Sequence, residues 1–294
     1  MIIVKLMGGL GNQMFQYATA RRLSQKHNAS LRLDITVYNS MEERDTPRHF
    51  ELDQYQISGK VASQEELAMM LPQDFQAAMP FRAKRRLGLD KRLRPLGESA
   101  KGLNSIVLKA RDNTYLVGWW QNEGYFSDIR DILYDEFKPK KTSAYTNALL
   151  KQMDGEEAIS IHVRRGDYVS NKHANKEHGL APKDYYESAI KLLGGKVKNP
   201  RFYVFSDDLE WCRKNLNLGK DAVFVDGNGA DRAYEDIYLM QHCRHNIVAN
   251  SSFSWWGAWL NDNPDKIVIA PLQWFQNKQT NQETEIVPDS WMRL

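Results

Sequence analysis

The chain has 294 residues, 42% hydrophobic and 26% charged, which is the composition of a globular protein and excludes disordered or collagen-like classes. Its 40 Lys and Arg against 37 Asp and Glu leave a formal charge of +3, so no basic excess calls for a nucleic-acid partner. No run approaches the roughly 20 apolar residues of a membrane-spanning helix. The opening MIIVKL is too short for a signal-peptide core, and Cys212 and Cys243 alone set up no disulfide framework; a reducing cytoplasm is the expected setting.

In chain order, the apolar run 2–6 ends in Gly8-Gly9-Leu10-Gly11 and predicts a buried strand entering a glycine turn. A helix follows with Met14, Phe15, Ala18 and Leu23 inside and Arg21, Arg22 and Lys26 outside, and 31–35 reads as the next strand, completing a βαβ unit. From 40 to 115 the pattern weakens, and 81–96 interleaves Arg82, Lys84, Arg85, Arg86, Lys91, Arg92 and Arg94 with Phe81, Leu87, Leu89 and Leu93. A strand over 116–120 is expected to close the first half. Further strands are expected at 158–163, 202–205, 222–225, 246–249 and 266–270, with helices at 182–193, 231–243 and 253–260 between them. Such alternation predicts an α/β fold with mostly parallel sheets. The length suggests two domains at about 150 residues each. The polar stretch around Pro139 and a helix over 145–153 mark the junction, between 138 and 157. The expected domains are 1–145 and 155–275, two Rossmann-like halves facing a cleft, with a C-terminal tail over 276–294.

Four stretches can carry chemistry. The glycine turn before Asn12 and Gln13 lets backbone amides approach a ligand, and a helix N-terminus favours negative charge. It is neither a Walker loop nor a good dinucleotide fingerprint, since Met14 stands where Gly9-x-Gly11 requires glycine. Asp34 lies at a spacing suited to a ribose and keeps a nicotinamide reading open. The run His162-Val163-Arg164-Arg165-Gly166-Asp167 places two arginines at the carboxyl end of a buried strand, where open α/β sheets bind ligands and where the guanidinium fork suits phosphate. By alternation His162 itself reads as a core histidine.

Phe205-Ser206-Asp207-Asp208 ends another strand; Asp208 reads as a helix cap and Asp207 as an acceptor for a guanine's N–H donors. Asn250-Ser251-Ser252-Phe253-Ser254 offers hydroxyls and amides at a helix start, as caps, as phosphate ligands, or both. Trp255, Trp256 and Trp259 read as core rather than as sugar platforms. There is no Asp-x-Asp or His-Glu-x-x-His, and His242-Cys243-Arg244-His245 straddles a helix end and a strand, so its side chains diverge; no metal is expected. Arginines can supply the charge stabilisation a divalent ion would otherwise provide.

Together, Gly8-to-Ala18, His162-to-Tyr168, Phe205-to-Asp208 and Asn250-to-Trp256 closely resemble the bacterial α-1,2-fucosyltransferases, from residue 3 to about 275. The resemblance implies the two-domain GT-B fold and metal-independent, inverting transfer from GDP-fucose to the 2-hydroxyl of a terminal β-galactoside, which can be lipid-linked. It implies that Arg164 and Arg165 hold the β-phosphate. His162 and Asp207 would contact the guanosine, against the core reading of His162, while Ser251, Ser252 and Phe253 would line the phosphate site. Asn12, with Gly11 and Gln13 beside it, would stand near donor and acceptor. Trp119-Trp120, where Tyr-Phe is usual, and Ala249, where Ser is common, are departures; the first bears on the acceptor.

No general base is identifiable; Asp167 and Glu123 are candidates. The segment with Phe81, Arg85, Arg86 and Leu89 is either a solvated helix face or a contact to anionic lipid at the inner face of the membrane. A transferase of another GDP-sugar or linkage, a nicotinamide-dependent oxidoreductase and a non-catalytic glycan- or nucleotide-binding protein are the competing readings.

Overall fold

The computed structural model describes residues 1–39, 48–69, 93–98, 102–166, 176 and 179–294. They form two compact α/β units, Met1–Phe137 and Lys138–Leu294. The first ends before the expected limit at 145, and the helix Ala144–Met153 belongs to the second.

In the first unit, strands β1 (Ile2–Lys5), β2 (Leu31–Asp34), β3 (Lys60–Val61), β4 (Arg94–Gly97) and β5 (Thr114–Val117) make one sheet in the order β3-β2-β1-β5-β4. Every described pairing in it is parallel. The predicted βαβ unit is present, with the helix Leu10–His27 between β1 and β2. Met14, Phe15, Ala18 and Leu23 are buried as expected. The polar side does not stand free in solvent: Arg21 pairs with Glu136 at 2.9 Å and Arg22 with Asp128 at 2.9 Å, tying the helix to the end of the unit. The closing strand stops at Val117 instead of running to residue 120. Trp120 adopts a left-handed φ of 55°, which ends strand geometry there.

In the second unit, β6 (Glu157–Val163), β7 (Pro200–Ser206), β8 (Val223–Phe224), β9 (His245–Ile247), β10 (Val268–Ala270) and β11 (Met292–Arg293) are all parallel, in the order β8-β7-β6-β9-β10-β11. Renumbered within the unit this is 3-2-1-4-5-6, the doubly wound Rossmann order, and the strand order reverses between β6 and β9. Both faces of β6 are covered, which explains its continuous apolar run. Ile159, Ile161 and Val163 pack with Tyr185, Tyr186 and Leu193 of the helix Lys183–Lys196. Ala158, on the other face, packs with Tyr203, Phe205, Leu239 and Met240.

Residues 276–294, expected as a tail, are part of this unit. β11 pairs with β10, Trp291 lies 5.6 Å from Trp255, and the Trp255 indole donates to the Ile286 carbonyl at 2.7 Å. Trp255, Trp256 and Trp259 are buried in the core, as read from the sequence. Among the described residues no helix is long and apolar enough to cross a membrane. Phe81, Arg85, Arg86 and Leu89 lie outside the described residues.

Candidate active site

The second unit gathers three of the four stretches at the carboxyl ends of β7, β6 and β9. Because β6 and β7 run in parallel register with His162 opposite Phe205 and Val163 opposite Ser206, the residues that follow them leave the sheet side by side. Arg164 Nη1 contacts Asp207 Oδ2 at 3.0 Å, and Asp207 Oδ1 accepts the Arg165 backbone N–H at 2.8 Å. Arg165 Nε donates to Asp208 Oδ2 at 3.1 Å. The Arg165 guanidinium lies 4.4 Å from the Trp211 ring centre, within cation–π range. Each arginine is thus held by its own carboxylate from the neighbouring strand end. The Nη groups of Arg165 have no protein partner among the described residues.

Asp208 performs the expected capping: its side chain accepts the Trp211 N–H at 3.0 Å, at the start of the helix Leu209–Asn215. Its carboxyl is held below the usual range, chiefly by that bond and further by Arg165. Both oxygens of Asp207 are engaged by the arginine loop, one by the Arg164 guanidinium and one by the Arg165 N–H. An added Cβ at Gly166 would lie 2.8 Å from Asp207 Oδ2, so a side chain there would push on the carboxylate that holds Arg164.

His162 is 4% exposed and its Nδ1 has no hydrogen-bond partner among the described residues. Burial, with Arg164 nearby, lowers its pKa to about 3, so the ring is neutral. It packs on Phe253 at 5.4 Å between ring centres. Phe253 lies in the first turn of the helix Ser252–Leu260, whose N-cap Ser251 accepts the Phe253 N–H at 3.3 Å. The capping role of Ser251 is therefore real. An anion here would meet a helix N-terminus from one side of the strand-order reversal and two arginines from the other.

The glycine stretch sits in the first unit, beside that sheet's own reversal between β1 and β5. Gly8 has a φ of 74°, and Tyr38 and Gln13 both donate to its carbonyl, at 3.0 and 3.2 Å. The rest of the Gln13 amide is also consumed: Nε2 donates to the His49 carbonyl at 2.7 Å and Oε1 accepts the Glu51 N–H at 3.0 Å. Gln13, expected at the donor, is fully buried and instead shapes the loop. Gly11 is buried in the first helical turn. Asn12 Oδ1 accepts from Gln121 Nε2 at 2.8 Å, joining the ends of β1 and β5. Asp34 is buried and accepts from the Tyr115 hydroxyl and the Thr36 N–H. It is therefore unavailable to a ribose, which removes the support for the nicotinamide reading. Glu123 opens the 3-10 turn Glu123–Tyr125, and Asp167 lies outside the described residues. His242 donates to the Tyr238 carbonyl, whereas His245 accepts from the Ile267 N–H, so the two imidazoles are committed to different partners.

The family model for glycosyl transferase family 11 matches residues 99–294. The chain belongs to that family. An alpha-1,2-colitosyltransferase of Escherichia coli is 35% identical over 297 residues, covering 100% of this chain and 98% of that protein. The O-antigen biosynthesis glycosyltransferase WbnK of Escherichia coli is 34% identical over 301 residues, covering 98% and 99%. The mouse galactoside 2-alpha-L-fucosyltransferase Sec1 is 34% identical over 146 residues, covering 48% of this chain and 39% of that protein. Two guanidiniums at a strand end near a helix N-terminus are an arrangement that can hold an anionic group.

Sequence reasoning missed two contacts, one in each unit. Trp211, under the Arg165 guanidinium, looks in sequence like any helix aromatic. Glu98, which accepts the Trp119 and Trp120 amide protons at 2.6 and 3.2 Å, follows a strand that Pro95 disguises.

Proposed function

We propose that this glycosyltransferase moves L-fucose from GDP-fucose to the 2-hydroxyl of a terminal β-galactoside, with inversion and without a metal. The observation that carries this reading is the pair Arg164–Asp207 and Arg165–Asp208 beside a helix N-terminus at the strand-order reversal. As the bond between the anomeric carbon and the β-phosphate oxygen breaks, negative charge grows on GDP and oxocarbenium character on the sugar. Guanidinium donors already fixed in place bind that charge more strongly than the ground state, which lowers the barrier. His162, neutral and buried beneath Arg164, adds no charge to this site. The acceptor hydroxyl attacks the face opposite the departing GDP; Asp167 and Glu123 remain the candidates to take its proton. The 1,2 linkage is supported by the names of two relatives, which share it although they differ in the sugar.

That difference favours one second reading, the same site with colitose in place of fucose, since a colitosyltransferase matches along the whole chain. Purified protein incubated with GDP-fucose, β-galactosides and EDTA is expected to release GDP only when acceptor is present and to give a product substituted at the galactose 2-hydroxyl. A GDP-colitose arm that outpaces GDP-fucose would transfer the assignment to the second reading. No GDP release with either donor would overturn both.

A further inference from the structure

We propose that the Trp119 indole is the platform on which the acceptor's pyranose ring stacks, with the Asn12 carboxamide beside it holding a ring hydroxyl. This deepens the functional reading above, from which it takes the acceptor class. Trp119 is 45% exposed, whereas its neighbour Trp120 is fully buried and packs edge-on against Tyr125 at 5.8 Å. The chain divides them by a strained turn. Trp120 is held at a φ of 55°, a conformation that costs a bulky residue free energy and persists only where surroundings enforce it. Glu98 supplies that enforcement by accepting both tryptophan N–H groups, at 2.6 and 3.2 Å. Gly118 is required as well: an added Cβ would lie 2.6 Å from Glu98 Cβ and 2.8 Å from the Trp120 ring.

The device places a large aromatic in solvent at the carboxyl end of β5, beside the reversal in strand order where open sheets take ligands. Trp119 and Asn12 meet over one residue. A Cβ on Gly8 would lie 3.2 Å from Trp119 Cζ3 and 2.7 Å from Asn12 Nδ2. Because Asn12 Oδ1 is taken by Gln121, the end of Asn12 turned to this surface is a donor. An apolar ring face next to an amide donor matches a galactoside. Its axial 4-hydroxyl leaves the C–H groups of positions 3, 4 and 5 as one apolar patch on the opposite face, while its hydroxyls need hydrogen-bond partners. A folding role for Trp119 would predict burial, as for Trp120.

The test compares wild type, Trp119→Ala and Trp119→Phe in acceptor kinetics with lactose, GDP binding, thermal melts and saturation-transfer NMR of lactose. Trp119→Ala is expected to raise the lactose KM about tenfold or more, the scale of losing one aromatic stack, and Trp119→Phe to recover most of it. GDP affinity and Tm should stay at wild-type values. Saturation transfer should fall on galactose H3, H4 and H5 and vanish in Trp119→Ala. An unchanged lactose KM in Trp119→Ala, or a parallel loss of GDP affinity and Tm, would overturn the proposal. Failure of the wild type to bind GDP would instead count against the functional reading; the NMR arm, which needs no donor, would still decide the role of Trp119.

Discussion

Asp208 bonds Arg165 Nε through one carboxylate oxygen at 3.1 Å and caps the helix Leu209–Asn215 through the other at 3.0 Å. One side chain therefore couples the position of a candidate phosphate ligand to a helix start. Its two roles are separable. Asn caps about as well as Asp but cannot accept the guanidinium with a charge. Asp208→Asn should therefore lower kcat/KM for the donor while leaving thermal stability nearly unchanged. Asp208→Ala should lose both, with about 1 kcal/mol of stability from the cap. Melts and donor kinetics on the two variants check this.

Arg164→Ala and Arg165→Ala should each lower kcat by about 10² to 10³, the usual cost of removing one donor aimed at developing charge. Lysine should restore little at residue 165. An ammonium cannot bond Asp208 through Nε, lie flat on Trp211 and still present two further donors. Single-turnover rates at saturating donor separate this loss from weakened binding.

The buried His162 sets a pH dependence of stability. Its folded pKa is about 3, against about 6.5 in an unfolded chain. Between those values the unfolded state binds the proton and the folded state does not, so stability falls as pH drops from about 6.5 toward 3 and is unaffected by this group above that window. His162→Gln should flatten the slope of Tm against pH within the window. A slope identical to wild type would show that another group causes it.

Gly257→Ala should destabilise the second unit by about 1 to 3 kcal/mol through overpacking. An added Cβ there would lie 2.6 Å from Met240 Cβ, where the helices Ala233–Gln241 and Ser252–Leu260 approach each other. Chemical denaturation measures it.

Much of this was readable in the sequence because the signals are local. The strands β1, β6 and β7 are built around buried apolar residues, and Asp208 sits where a cap belongs. The missed strands are short edge or near-edge pieces whose pairing, not composition, defines them: the exposed Lys60–Val61, Arg94–Gly97 with its proline, and Met292–Arg293 after a polar stretch. The site was legible as motifs but not as contacts. Nothing local tells Arg164 to choose Asp207, whose strand end is brought beside it only by parallel register. Gln13 misled for the same reason. Its partners at His49 and Glu51 arrive from a segment without periodicity. Trp119 and Trp120 read as one strand because their composition is alike, while a single positive φ sends one into solvent and the other into the core.

The central claim, that Arg164 and Arg165 form the site for a nucleotide diphosphate, is tested most directly by calorimetric titration of GDP with EDTA present. Wild type should bind GDP without metal, and Arg165→Ala should bind it about tenfold or more weakly, the value of one charge-assisted hydrogen bond. GDP binding of equal strength in wild type and Arg165→Ala, or none to the wild type, would contradict it.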